Sequence, residues 1–165
     1  MGVQLTKGLR EAAFFLMAAA ALLLLLALIS YDSADPGWSH TGEYAQQIQN
    51  LGGVVGAWFA DVMLYLFGYL AYIAPVMLGY SGWLVFRGEK ETGELKSTEL
   101  SLRGVGFIAT LVTGCGLAEI HFSAPTLPMH AGGLLGSGIG GSVMQNFGII
   151  GATLLLLATL LASIT

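Results

Sequence analysis

Apolar and polar residues are sorted into long blocks along this chain. Ala12 to Ile29 is apolar without a break, Val54 to Phe86 nearly so, Gly104 to Ile120 is shorter, and "FGIIGATLLLLATLLASIT" carries a fourth block from Phe147 to Thr165. A helix needs roughly 20 mostly apolar residues to cross about 30 Å of hydrocarbon, and each block approaches or exceeds that length. The pattern predicts an all-α membrane protein with four transmembrane helices, at 12–30, 54–86, 104–120 and 147–165. At about 1.5 Å per residue the second block is longer than a bilayer is thick, so its first turns are expected in the headgroup layer. Residues 1–11, 31–53, 87–103 and 121–146 remain outside the hydrocarbon, and the last of these reads as a Gly-rich loop, flexible or partly re-entrant. No internal repeat is evident among the four segments. The fourth block is still apolar where the sequence stops, which suggests a piece of something longer.

Composition agrees with the pattern, and charge gives it a direction. Apolar residues make up 55% and charged residues 10%, against about a quarter charged in soluble domains, and the mean hydropathy is +0.76. All 6 basic residues fall in two places: Lys7 and Arg10 before the first block, and Arg87, Lys90, Lys96 and Arg103 between the second and third. Acidic residues occur on both sides, but orientation follows Lys and Arg rather than net charge. Both termini and the 87–103 loop are therefore expected in the cytoplasm, and "YDSADPGWSH" is the first stretch to emerge on the far side. Asp32, Asp35 and Pro36 stop the helix where its backbone reaches water, while Tyr31 and Trp38 suit the headgroup layer. A cleaved signal peptide is the competing interpretation of Lys7, Arg10 and the run behind them. The small-residue cleavage rule is poorly met near Ala34, so a retained anchor is expected. Cys115 is alone, which removes any internal disulfide and leaves it as a small packing residue.

Candidate chemistry is sparse. On a continuous second helix, Asp61, Tyr65, Gly68, Tyr72, Pro75 and Gly79 fall within about 40° of one line, with Phe59, Met63, Leu66, Leu70, Met77 and Leu84 opposite. The first stripe is expected to face protein and the second lipid, with a bend at Pro75. Asp61 stands out as an ionisable residue in a membrane segment, and the plainer interpretation places it near the outer interface, wetted or bonded to a neighbour. Gly106, Thr110 and Gly114 repeat the small-xxx-small spacing of helix contact. Glu119 and His121 point apart on a helix and do not form an acid–base pair, and His40 and His130 lie in loops, so zinc is not expected. "GSGIGG" at 136–141 matches a dinucleotide fingerprint by letters alone, with no strand before it and no acidic residue at the required distance behind. The 87–103 loop is a solvated mixture of charges. No catalytic constellation, cofactor site or metal site emerges, so no enzyme activity is expected of these residues.

The wording of two stretches is more specific. "DPGWSH", with Asp35, Pro36, Trp38 and Ser39, follows the first crossing. "NLGGVVGAWFADVMLYLFGYLAYIAP" then leads into the second, with Asn50, Gly52, Gly53, Gly56, Ala57, Trp58, Ala60 and Asp61 in place. These resemble the amino-terminal membrane domain of the FtsK/SpoIIIE family of DNA translocases, strongly through Pro75 and more loosely beyond. The resemblance implies a septal anchor in the bacterial inner membrane that helps assemble the division machinery, couples division with chromosome segregation, and tethers a hexameric, ATP-driven DNA pump. ATP, magnesium and DNA contact then belong to a motor that these residues do not include. The implied partners are the bilayer, other division proteins and further copies of the chain.

Two other functions use residues already named. A small transporter or channel would employ Asp61 and Glu119 as intramembrane carboxylates; both lie toward helix ends, and no repeat is evident. Recognition of cell-wall enzymes or precursors would use Trp38 and Trp58 in the outer loops.

Overall fold

The computed structural model describes residues 2–39, 48–87 and 97–164, with side chains described for 7–39, 48–87 and 104–163. Expectations for His40 and most of the charged loop, Lys90 and Lys96 included, fall outside these residues. The elements are α1 (Gly2–Ile29), α2 (Gly53–Phe67), a 3-10 turn (Gly68–Tyr72), α3 (Ile73–Arg87), α4 (Ser97–His121) and α5 (Gly133–Ile164), the last interrupted at Gly148. Among the described residues 4 stretches are long and apolar enough to cross a membrane: Lys7–Ile29, Gly53–Arg87, Gly104–His121 and Gly133–Ser163. The helices are apolar nearly all round, and Leu16, Val55 and Ile150 are among many large side chains left exposed. Such surfaces are at rest against acyl chains, while helices satisfy their backbone internally.

Packing divides the molecule into two antiparallel pairs. Along α1 and α3, Phe14 meets Trp83 and Phe86, Gly79 lies opposite Ala21, and the Tyr72 hydroxyl donates to the Leu28 carbonyl at 3.0 Å. Along α4 and the second half of α5, the Thr110 and Ser163 hydroxyls are 2.8 Å apart, Gly116 faces Leu156, and His121 Nε2 is 2.9 Å from Thr153 Oγ1. Ala27, Leu28, Ala60, Leu64 and Ala71 form a buried cluster at the end of α1, and Tyr31 and, from the loop behind α4, Leu127 pack against it. The ends of α1 and α4 therefore lie at the same end of the bundle. Gly52 and Gly56 approach Ala27, and Leu64 packs in the same cluster. Accordingly α2 runs across the end of α1 rather than along it.

Three sequence expectations are corrected here. The second span is broken by the 3-10 turn at Gly68–Tyr72 and not bent at Pro75. Pro75 sits in the first turn of α3, where its missing N–H is not needed by the helix. The stripe from Asp61 to Gly79 consequently belongs to two helices of different direction, and Leu70, expected to face lipid, packs against Gly114. Finally, most of the expected Gly-rich loop is helical from Gly133 onward. Its glycines let it lie close to α4: a Cβ on Gly136 or Gly140 would come within 2.5–2.7 Å of the carbonyls of Cys115 or Gly116.

The corrected elements reveal an internal repeat that the apolar blocks concealed. Leu51-Gly-Gly-Val-Val-Gly opens α2 and Ala131-Gly-Gly-Leu-Leu-Gly opens α5, and one constant shift also superimposes Phe67-Gly68 on Phe147-Gly148. The backbone repeats with the letters. Gly53 and Gly133 have φ of 64° and 63°, and Gly68 and Gly148 have φ of 56° and 67°. The bonds Gly53 N–H to Asn50 C=O and Gly133 N–H to His130 C=O are both 2.9 Å. Each half is thus a spanning helix, a loop, a helix entered through Gly-Gly, a glycine break, and a returning helix.

Candidate functional site: a polar clasp at one end of the bundle

A helix ends with four carbonyls lacking intrahelical partners, and at the end of α1 side chains meet them. Asn50 Nδ2 donates to Ala27 C=O at 2.8 Å and to Ser30 C=O at 3.3 Å. Ser30 Oγ donates to Leu26 C=O at 2.6 Å and accepts from Leu51 N–H at 2.9 Å, and Tyr72 covers Leu28. Asn50 is itself held through the Asp35 carboxylate, which accepts from the backbone N–H groups of Gln49 and Asn50 at 2.9 and 2.8 Å. Asp35 and Asn50 are both buried. The two ends of the 31–52 segment are thereby tied to each other and to α1. Tyr72→Phe should cost about 1 kcal/mol, the net worth of one such hydrogen bond, measured as a lowered unfolding midpoint in detergent.

The second knot is Asp61, which is fully buried. Its Oδ2 accepts from Ser39 N–H at 2.6 Å, and its Oδ1 accepts from Ser39 Oγ at 2.8 Å and from Tyr31 Oη at 3.3 Å. Bonds to an ionised acceptor are roughly twice as strong as neutral ones. Burial above all, and then the Asp61 charge, raise the Tyr31 pKa above its ordinary value, so the phenol keeps its proton and remains a donor. Gly37 makes the approach possible, since a Cβ there would lie 2.6 Å from Asp61 Oδ2. Trp38 stands edge-on to Tyr65, centroids 5.2 Å apart at 77°, and stays half exposed. Trp38→Ala should cost roughly 1 kcal/mol beyond lost area and raise protease sensitivity in the 31–39 segment.

The remaining named residues sit elsewhere. Pro36 is half-buried in the clasp segment, whereas Trp58 is exposed on α2. Gly68 lies against the Ala131 carbonyl, which accepts from Tyr69 N–H at 2.9 Å. Gly106 approaches Ser163, Thr110 bonds it, and Gly114 receives Leu70. Glu119 and His121 do point apart: Glu119 turns to Gly132 N–H at 3.3 Å and to His130 Nδ1 at 3.5 Å, His121 to Thr153. Among the described residues no three of His, Cys, Asp and Glu are grouped to hold a metal. Sequence reasoning did not single out Ser30, Gly37 or Gly148 as site residues. Ser30 and Gly37 act through partners distant in sequence, so local pattern gives no signal for them. Gly148 was detectable through the repeated Phe-Gly.

This geometry defines a helical membrane module of four spans whose buried polar side chains are spent on its own backbone and loops. The chain belongs to the family described as the 4TM region of DNA translocase FtsK/SpoIIIE, which it matches over residues 6–165. It is 39% identical over 163 residues to the DNA translocase FtsK of Pseudomonas syringae pv. syringae (strain B728a), covering 98% of this chain and 20% of that protein. The DNA translocase FtsK of Shewanella oneidensis is 38% identical over 135 residues, covering 82% of this chain and 15% of that protein. The chain thus spans at most about a fifth of the length of these relatives. No solved structure matches it.

Proposed function

We propose that this chain is the inner-membrane anchor of a DNA translocase that works at the division septum, and that it acts there as a scaffold. The carrying observation is the family match along nearly the whole chain, combined with the small share of each relative that it covers. In this reading the end of the bundle bearing Lys7 and Arg10 is cytoplasmic and the clasp lies outside, as the placement of basic residues requires. The returning half of α5 delivers the chain to the basic end, where an ATP- and magnesium-dependent motor contacts DNA. The anchor itself binds no cofactor; its partners are lipid, other division proteins and further copies of itself, six in the working assembly. The test is depletion of the translocase in dividing cells, followed by production of residues 1–165 fused to a fluorescent protein. Midcell rings and restored constriction are expected; uniform membrane fluorescence with no rescue would reject the reading.

One observation favours a second reading: a repeat with glycine-broken helices is also a transporter architecture. Against it, the Asp61 carboxylate accepts hydrogen bonds from Ser39 and Tyr31 of the clasp, and Glu119 is engaged by Gly132 and His130. Asp61-dependent proton flux in liposomes would restore it.

A further inference from the structure

The two halves meet through elements that each half possesses, but only one of the two possible meetings is made within the chain. The break of the first half, at Gly68, receives the helix start of the second half, at Ala131–Gly133. Tyr69 N–H donates to Ala131 C=O at 2.9 Å, a Cβ on Gly133 would lie 2.6 Å from Gly68 N and Leu66 C=O, and Leu70 packs on Gly114. The complementary pair is the start of the first half, at Leu51–Gly53, and the break of the second half, at Gly148. At Gly53 and at Gly148 nothing lies within 4 Å of an added Cβ. The exposures agree: Ala131 is 2% exposed and its counterpart Leu51 70%, while Leu70 is partly covered and its counterpart Ile150 is 75% exposed.

The relation between the halves sets how copies can associate. Were the halves related by a closed two-fold, both meetings would occur inside one chain. One is made and the other is open, so the operation that carries the first half onto the second is heterologous and generates a succession. Both halves also run the same way, since α1 and α4 end at the same end of the bundle. Repeating the operation therefore keeps every copy in one orientation within one membrane.

We propose that a second copy of this chain occupies the open pair: the Gly148 break of one copy receives the Leu51–Gly53 helix start of the next, joining copies head to tail around a ring. The counterpart of the internal hydrogen bond runs from Ile149 N–H to Leu51 C=O of the next copy, and Ile150 takes the place of Leu70. An acyl chain also covers apolar side chains, but it offers no carbonyl to that N–H. This inference gives a geometry to the self-association in the proposed function and does not depend on septal location.

Disulfide trapping tests it in native membranes, using the full-length protein with Cys115 and any other cysteine replaced. The Tyr69→Cys, Ala131→Cys pair should close within one chain, which reports that the fold is intact. Co-production of Leu51→Cys with Ile149→Cys should trap dimers to a comparable extent, and either variant alone should trap few. Both changes in one chain should give a ladder of multimers that stops at a fixed size. The proposal is overturned if the intrachain pair closes while the 51–149 pair traps nothing, or if Leu51→Cys traps chiefly with itself. In the first case, multimers seen by native mass spectrometry would leave self-association standing with another geometry, and monomers would remove both.

Discussion

Gly68→Ala should destabilise the isolated membrane module by roughly 4 kcal/mol, and Gly148→Ala by less than half of that. Both glycines occupy a region of backbone space essentially closed to other residues, with φ 56° and ψ −134° at Gly68 and φ 67° and ψ 174° at Gly148. A residue forced to stay there costs about 1–3 kcal/mol. At Gly68 a methyl group also runs into the Ala131 carbonyl, and such overpacking adds about 1–3 kcal/mol. No comparable collision awaits a methyl group at Gly148. The comparison is made by steric-trap unfolding of the monomer in micelles. Equal losses at the two positions would mean that the Gly68–Ala131 junction does not hold the halves together.

The second large effect is expected at Asp61. Asp61→Ala removes the acceptor of the Ser39 N–H, the Ser39 hydroxyl and the Tyr31 hydroxyl, and each hydrogen bond lost costs about 1 kcal/mol net. Water reaches part of the vacated site beside exposed Ser39, so a total of about 3 kcal/mol is expected. Asp61→Asn can turn its amide so that the oxygen still accepts from Ser39 N–H while the N–H₂ donates to the Ser39 and Tyr31 hydroxyl oxygens, so it loses chiefly the charge assistance and should cost about 1 kcal/mol. Proteolysis of the 31–39 segment should accelerate in both variants, more in Asp61→Ala. Unchanged protection in Asp61→Ala would show that the clasp does not depend on its carboxylate.

Much of this architecture was legible in the sequence because lipid imposes a one-dimensional code. Apolar length marked the spans, and the wording around Asp35 and Asp61 marked the family. What escaped has a common physical origin. The break at Gly68 depends on Ala131, a partner far along the chain, while Pro75 offered a local and misleading reason for a kink. Gly133–Phe147 has poor intrinsic helix propensity, yet it is helical because its small residues admit close contact with α4, and packing outweighs propensity. The repeat was obscured because its loops differ in length and its shared letters are mainly glycine. The break at Gly68 re-aims every residue behind it, yet the residues of the expected protein-facing stripe all meet protein: Asp61, Gly68 and Pro75 are buried, and Tyr65, Tyr72 and Gly79 each reach a neighbour.

The most direct test of the account is the sidedness of the clasp. In the full-length protein, with Cys115 and any other cysteine replaced, Ser33→Cys and Lys7→Cys are treated separately with a membrane-impermeant maleimide, first on the outer face of intact spheroplasts and then after lysis. Ser33 is exposed beside the clasp and Lys7 is exposed at the basic end. Labelling of Ser33→Cys in intact spheroplasts, and of Lys7→Cys only after lysis, is the expected result. Labelling of Lys7→Cys from outside, with Ser33→Cys protected until lysis, would turn the molecule over in its membrane and contradict an anchor that delivers its chain to a cytoplasmic motor.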